Sequence, residues 1–313
     1  MFEEILKAIE AYGTIILHRH QTPDGDALGS QIGLKHLILE NYPGKRVLMV
    51  GDPAERYSFM ADSVMDAVPD EAYQGALAIV LDTSAAHLIS DQRYATAAAT
   101  ARIDHHLFVE KIAQFEATDS SFESCCGLIA QMAVEAGWRL PLLAAQSLFT
   151  GMVTDSGRFR YDSTSARTFR LASFLMSQPI NTNEIYRSLY STDLEQAQLR
   201  ARFVQKIRLT AHRVAYIYTT REEMAALPSD LFSISRGMVS VMNDIRGVDI
   251  WVNFTEASDS VWCELRSSKV NINPIAVKYG GGGHMKASGA TLKGREEAMR
   301  MLEDLDRLAE ENP

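Results

Sequence analysis

The sequence has little cysteine and no excess of positive charge, and both shortages narrow the range of functions. Its 313 residues include three cysteines, two of them adjacent (Cys125 and Cys126) and one remote (Cys263). They provide neither a disulfide framework nor a CxxC pair for zinc or redox chemistry, so a reducing, cytoplasmic environment fits best. The net charge of -9 argues against a protein that coats long nucleic acid, which requires many Lys and Arg contacts to phosphates. A small anionic substrate stays compatible, because bound cations can supply the positive field.

Long apolar runs are also missing. No segment approaches the roughly 18 apolar residues of a membrane span, and residues 1–13 form an acidic amphipathic pattern rather than a secretion signal. We therefore expect neither secretion nor a membrane-spanning segment. With 46% hydrophobic and 23% charged residues, the composition is that of a folded globular protein. The length suits two domains, at roughly 100 to 200 residues each.

Four short apolar runs alternate with helical patterns in the first half of the chain. They are TIILH (14–18), RVLMV (46–50), ALAIVLD (76–82) and ATARID (99–104). This alternation predicts an α/β domain with a mainly parallel sheet covered by helices. Because ligands bind outside the carboxyl ends of the strands in such sheets, the polar residues that follow these runs should meet at one crevice.

The second half of the chain predicts a helical connector and a smaller α+β domain. Apolar residues recur at helical spacing through residues 163–207, and strand-like alternation follows, with a glycine run and a closing helix at about 295–311. The boundaries that we expect are 1–185 for the catalytic domain, 186–211 for the helical connector and 212–313 for the substrate-binding domain.

Aspartate and histidine side chains follow a predicted strand or an apolar helix in four places. None of these motifs alone establishes a metal site. PDGD (23–26) is also a common turn sequence, an Asp after a strand can cap the next segment, and a His doublet can face solvent. Together they offer oxygen and nitrogen donors without cysteine, which favours hard or borderline divalent cations. The candidate metal ligands are His20, Asp24, Asp26, Asp82, His105 and Asp155.

The number of donors predicts two metal ions. Six are too many for one ion with an open position, but they suit two ions that share a bridging carboxylate. Asp82 is the expected bridge, because it ends the most apolar run in the chain. A carboxylate there costs free energy unless it is paired or binds a metal.

A glycine run in the second half offers a different kind of site. The segment YGGGGHMKASGA (279–290) has four successive glycines, whose backbone amides can approach a ligand closely, and His284 and Lys286 add donors suited to a phosphate or nucleotide. Such a run is also typical of a flexible linker. This one lies inside a segment with strand and helix patterns, so we favour ligand contact.

Taken in order, the motifs HxxxDxD, LDTS, DHH and TDSGRFRY resemble the four motifs of the DHH phosphoesterase superfamily. ELRSS (264–268) with GGGGHxxASG resembles the DHH-associated C-terminal domain. The resemblance spans nearly the whole chain. Length and domain content are most similar to the branch of bifunctional oligoribonucleases that also dephosphorylate 3'-phosphoadenosine 5'-phosphate (pAp). That branch implies a nucleotide-binding hydrolase with two manganese ions, which releases 5'-mononucleotides from very short RNA.

The resemblance also implies roles for individual residues. The ligands of one ion would be His20, Asp24 and Asp82, and those of the other Asp26, Asp82, His105 and Asp155. His106 would meet the reacting phosphate, so the catalytic residues would be His106 and Asp82. The substrate-binding residues would be Arg266, Ser267, Gly282, Gly283 and His284. Departures from the pattern, such as Gly127 where many relatives carry an acid, remove none of these ligands.

We expect in-line attack of hydroxide on phosphorus without a covalent enzyme intermediate, with the second domain closing over the first. The expected partners are short oligonucleotides or small nucleotides, with no long nucleic acid and no membrane. A phosphodiesterase for pApA or cyclic dinucleotides, and a nucleotide-binding regulator without activity, are the alternatives. The retained donors disfavour the regulator, and the glycine segment disfavours a pyrophosphatase. The preferred substrate, the physiological metal and the oligomeric state stay open.

Overall fold

The computed structural model describes residues 1–312, and the chain divides between Ser191 and Thr192 into two compact units. Each unit has its own hydrophobic core. Within the described residues, none of the helices combines the length and the apolar character that a membrane crossing requires.

The first unit is built on a parallel sheet, as the alternation of apolar runs predicts. Its five strands are β1 (Thr14–His18), β2 (Arg46–Met49), β3 (Ala76–Leu81), β4 (Ala99–Asp104) and β5 (Phe115–Thr118). They lie in the order β2-β1-β3-β4-β5, and every neighbouring pair is parallel. Strand β3 is buried along its whole length because it lies at the centre of the sheet. The four predicted runs correspond to β1–β4, whereas β5 was not predicted.

Helices cover this sheet and bring two of the candidate loops together. The helices of the first unit are α1 (Glu3–Ala11), α2 (Gly25–Asn41), α3 (Cys125–Glu135), α4 (Leu142–Asp155), α5 (Ala166–Leu175) and α6 (Thr182–Tyr190). Helices α2 and α4 pack closely through glycine. A Cβ atom on Gly29 would lie 2.6 Å from the carbonyl oxygen of Ser147, and one on Gly33 would lie 2.5 Å from Leu148 Cδ2. This close approach brings the start of α2 beside the end of α4.

The second unit has a six-stranded mixed sheet with helices, which confirms the predicted α+β character. Its strands are β6 (Arg208–Leu209), β7 (Ala215–Thr219), β8 (Ile250–Glu256), β9 (Val261–Ser267), β10 (Gly282–His284) and β11 (Ala287–Leu292), in the order β10-β11-β9-β8-β7-β6. Only the β7–β8 pair is parallel among these described strands. The helices are α7 (Leu194–Lys206), α8 (Arg221–Ala225), α9 (Asn273–Lys278) and α10 (Arg295–Glu310).

Candidate metal centre

The six candidate metal ligands converge at the carboxyl edge of the parallel sheet. β1, β3 and β4 lead into the segments that carry His20, Asp82 and His105, and α4 ends at Asp155. The side chains form three sets, and within each set the donor atoms lie no more than 4.8 Å apart. The sets are His20, Asp24 and Asp82; Asp26, His105 and Asp155; and Asp82, His105 and His106.

Asp82 lies between the first two sets. Its Oδ2 is 3.5 Å from Nε2 of His20, and its Oδ1 is 3.5 Å from Nε2 of His105. The side chain is buried, and Oδ1 has no hydrogen-bond partner within residues 1–312. The backbone of Asp82 adopts a φ of +51°, a conformation that is costly for a residue with a side chain. Buried carboxylates are normally paired or bound to a metal, so the unpaired oxygen of Asp82 is consistent with a metal ligand.

Backbone carbonyls fix both histidine rings with Nε2 facing the carboxylates. Nδ1 of His20 donates to the carbonyl of Gln21 at 2.7 Å, and Nδ1 of His105 donates to the carbonyl of Phe122 at 3.3 Å. Nε2 of His105 lies 3.2 Å from Asp155 Oδ2. Histidines that bind metals are oriented in this way, with the second ring nitrogen bound to a carbonyl or carboxylate.

Helix N-termini hold two of the carboxylates. Asp24 caps α2 and accepts hydrogen bonds from the backbone N–H groups of Asp26 and Ala27. Asp26 is fully buried and accepts from the N–H groups of Cys125 and Cys126 at 2.7 and 2.9 Å, at the first turn of α3. The N-terminus of a helix favours a negative charge. These bonds fix Asp24 and Asp26 before any ligand binds.

The closely spaced carboxylates of the cluster favour positive charge on its histidines and disfavour negative charge on Asp26 and Asp155. Burial raises the pKa of Asp155 to about 7, and burial with the charge of Asp82 raises that of Asp26. Burial would lower the pKa of His105, but its contact with Asp82 and the charge of Asp26 raise it to about 10. Burial would also lower the pKa of His20, but the hydrogen bond to Asp82 and the charge of Asp82 raise it to about 9. The cluster therefore attracts cations strongly.

The donor set fits divalent metal ions. The six candidate ligands provide four carboxylates and two imidazoles, and no thiolate. Carboxylate and imidazole ligands suit manganese, magnesium, zinc and related ions. The residues therefore form candidate metal-binding groups, two of which share Asp82.

The prediction from sequence missed Asp104, the first residue of the DHH triplet. Asp104 is fully buried and accepts a hydrogen bond from Nδ1 of His106 at 2.7 Å, and its other oxygen is paired with the side chain of Arg102. Arg102 and Asp104 lie two residues apart on β4, so both point to the same face of the sheet. An arginine and an aspartate at alternate positions of an apolar strand could have signalled this pair, because buried charges need partners.

The second unit places the five candidate substrate-binding residues on two strands of the same sheet. Arg266 and Ser267 end β9, and Gly282, Gly283 and His284 form β10, with β11 between them. Arg266 is held by Glu264 at 3.1 Å, and His284 is exposed. Ser267 is buried, and its Oγ accepts the backbone N–H groups of Lys269 and Val270.

Gly283 has a structural reason to be glycine. A Cβ atom on Gly283 would lie 2.5 Å from the carbonyl oxygen of Ala287, and the backbone φ at Gly283 is +136°. Three residues of the segment, Gly282–His284, thus form a strand that pairs with β11.

A buried acid, Glu123, occupies the space beside Gly127. Its carboxylate accepts a hydrogen bond from Oγ1 of Thr168 at 2.8 Å, and any side chain at position 127 would collide with it. The absence of an acid at position 127 is therefore accompanied by an acid four residues earlier, just before α3 begins.

Comparison with known proteins agrees with this architecture. Residues 14–152 match the N-terminal domain of the DHH family, and residues 232–311 match the DHHA1 domain. The chain is 36% identical to the bifunctional oligoribonuclease and PAP phosphatase NrnA of Bacillus subtilis, and the match covers 100% of both chains. The chain belongs to the DHH family.

Other DHH-family comparisons extend over similar lengths. The probable bifunctional oligoribonuclease and PAP phosphatase NrnA of Streptococcus mutans is 34% identical over 98% of both chains. The crystal structure of an exopolyphosphatase-related protein from Bacteroides fragilis superposes with a TM-score of 0.85 at 25% identity. It covers 99% of this chain and 95% of that one. The DHH-domain match contains five of the six candidate ligands, and Asp155 follows three residues after its end.

Proposed function

We propose that this DHH-family protein is a two-metal hydrolase that cleaves short oligoribonucleotides to 5'-mononucleotides and removes the 3'-phosphate of pAp. The observation that carries the proposal is the position of Asp82, with one oxygen 3.5 Å from His20 and the other 3.5 Å from His105. A carboxylate between two donor sets is the arrangement that two ions require. The names of the full-length relatives, bifunctional oligoribonuclease and PAP phosphatase, support the substrates.

In this proposal the six donors divide between two ions, which we expect to be manganese. The first ion would be held by His20, Asp24 and Asp82, and the second by Asp26, Asp82, His105 and Asp155. Bound divalent ions would make a water more acidic and withdraw electron density from a phosphoryl oxygen. The hydrogen bonds to Asp24 and Asp26 reduce the reorganisation that binding requires.

His106 is proposed to meet the reacting phosphate. Asp104 accepts the Nδ1–H of His106 and raises its pKa, with a smaller opposing effect of burial. A protonated imidazole can donate through Nε2 to a phosphoryl oxygen and stabilise the charge that develops there. Hydrolysis then adds water to phosphorus, breaks the bond to the 3' oxygen and leaves a proton on that oxygen.

The second unit is proposed to hold the nucleotide through Arg266, Ser267, Gly282, Gly283 and His284. The guanidinium of Arg266 is oriented by Glu264 and by the carbonyl of Leu265, which suits directional contact with a phosphate. Ser267 would contribute through the turn that it holds rather than through a free hydroxyl. The acidic chain as a whole favours small substrates over long strands.

The test is an assay of the purified full chain on pAp, pApA, a cyclic dinucleotide and oligoribonucleotides of graded length. The protein is first treated with a chelator and then supplied with manganese, magnesium, cobalt or zinc. We expect no turnover after chelation, the greatest recovery with manganese, and rates that fall as the oligonucleotide lengthens.

Three results would contradict parts of the proposal. Full turnover after exhaustive chelation would reject the metal mechanism. Equal rates on a dinucleotide and a long strand would reject the preference for short substrates. Activity on a cyclic dinucleotide without activity on pAp or linear RNA would favour the alternative phosphodiesterase.

A further inference from the structure

A cavity in the first unit opens beside two of the candidate metal ligands. Its volume is about 170 Å³. It is lined by Asp24, Arg56, Tyr57, Thr154, Asp155, Leu189 and Tyr190. The side chains come from the loop after β2, the start of α2, and the ends of α4 and α6. None of the proposed metal or phosphate roles uses the arginine or the tyrosines.

Arginine and tyrosine side chains are paired around this cavity. The guanidinium of Arg158 lies 3.8 Å from the ring centroid of Tyr190, and that of Arg56 lies 5.6 Å from the ring centroid of Tyr57. The ring of Tyr186 lies 5.9 Å from that of Tyr190. Arg158 and Tyr186 therefore hold the ring of Tyr190 in place at the wall of the cavity. Both arginines are exposed.

The backbone that presents Arg158 is strained. Gly157, Arg158 and Phe159 have successive φ angles of +57°, +66° and +62°. Two of these residues carry side chains, for which the left-handed conformation is unfavourable. Phe159 is packed between the rings of Phe149 and Phe169, at 5.9 and 5.6 Å. Strain of this kind persists where the surroundings enforce it, and it is concentrated at functional sites.

We propose that this cavity is a nucleoside subsite, in which the base of the nucleoside on the 3' side of the scissile phosphate stacks against Tyr190. The inference rests on the proposed function. A dinucleotide such as pApA carries this second nucleoside, joined to the scissile phosphate through its 5' oxygen. The substrate pAp ends at that phosphate and leaves the cavity empty.

Size, position and chemistry support this assignment. A cavity of roughly 150 Å³ can hold benzene, so 170 Å³ accommodates a base ring or a ribose. Asp24 and Asp155 form part of its wall, so a group in the cavity would lie beside a phosphate bound at the proposed metal centre. Aromatic rings bind bases of any sequence by stacking, and arginines contact the adjoining phosphates. A subsite of this kind would bind short RNA without reading its sequence.

The experiment compares kcat/KM for pApA with kcat/KM for pAp in the wild-type chain and in Tyr190→Ala and Tyr190→Phe. We expect the ratio of the two values to fall about tenfold in Tyr190→Ala, as for the loss of one base-stacking contact. Tyr190→Phe keeps the ring and should keep the ratio. Circular dichroism and metal analysis establish that each variant is folded and loaded.

A third substrate identifies the group that contacts Tyr190. It is a pApA analogue in which the second adenine is absent and the ribose remains. On this substrate the difference between wild type and Tyr190→Ala should disappear. An unchanged or increased pApA to pAp ratio in Tyr190→Ala would overturn the subsite, and an equal loss on the base-free analogue would overturn base stacking. If the wild-type chain cleaves neither pApA nor pAp, the proposed function fails instead.

Discussion

The side chains of Asp104 and His106 are joined by a hydrogen bond of 2.7 Å, in which Nδ1 of the imidazole donates to the carboxylate. The second oxygen of Asp104 is paired with Arg102, and both of these residues are buried. His106 itself is exposed. A buried ion pair thus fixes the orientation of an exposed imidazole and leaves its Nε2 available to a substrate.

Replacement of Asp104 should therefore lower turnover while the metal ligands stay in place. We expect kcat to fall about 10- to 100-fold in Asp104→Asn, the range seen when a residue that orients an active-site group is lost. Steady-state rates on pAp, with metal content by elemental analysis, check this. Urea unfolding of the same variant controls for the loss of the charge partner of Arg102. Normal kcat in a folded variant would show that His106 does not depend on Asp104.

Asp82→Asn should weaken metal binding and reduce kcat by at least about 100-fold, because one charge is lost from the ligand shared by both ions. Metal content and kcat should fall together. The matched control is Asp70→Asn, which removes an exposed carboxylate that pairs with Arg93 outside the cluster. An Asp82→Asn protein with normal turnover would overturn the proposed metal centre.

His284→Ala should leave both ions bound and affect the substrate. If His284 holds substrate and transition state equally, only KM rises; if it orients the reacting phosphate, kcat falls as well. The measurement is kcat and KM on pAp and a dinucleotide, beside metal content. His212→Ala is the control within the same unit, since His212 is paired with Asp306. Unchanged kcat/KM on both substrates would leave the β10 segment with a structural role alone.

Asp304 should make the stability of the second unit depend on pH. Burial acts to raise the pKa of Asp304, but hydrogen bonds from Lys278 at 2.6 Å and Tyr279 at 2.7 Å hold it below its ordinary value. The folded pKa thus lies below the unfolded value of about 3.9. The stabilisation is complete above the unfolded pKa and is lost as the pH falls through the folded pKa.

Asp304→Asn should accordingly lower the free energy of unfolding at pH 7 by about 1.5–3 kcal/mol, the typical contribution of hydrogen bonds to a charged group. The difference from wild type should shrink as the pH falls below about 4. Urea unfolding at a series of pH values measures it. A difference that is constant with pH would show that the charge of Asp304 contributes nothing.

The features that could be predicted from sequence depend on local patterns. Strand β3 is an uninterrupted apolar run, and Asp82 directly follows it, so both the central strand and the residue at its end were evident. The candidate ligands converge because parallel strands place their carboxyl ends at one edge of a sheet. The roles that the resemblance implies for these residues stay predictions until they are measured.

The features that could not be predicted depend on contacts between distant segments. Strand β5 has the sequence FEAT and only one fully buried residue, so it lacks the apolar run that marks the other four strands. The glycines of β10 read as a loop, and only the pairing with β11 makes them a strand. The bonds from Cys125 and Cys126 to Asp26 span about a hundred residues and use backbone groups, which leave no mark in the sequence.

The three cysteines offer a practical route to following the two units in solution. All three are buried, and burial raises the pKa of each thiol, that of Cys263 to about 12. Native thiolates are therefore scarce, and maleimide dyes should react slowly with the wild-type chain. Cysteines introduced at one exposed position of each unit would carry a donor and an acceptor fluorophore without removal of the native thiols. Energy transfer between the dyes would then report the distance between the units during turnover.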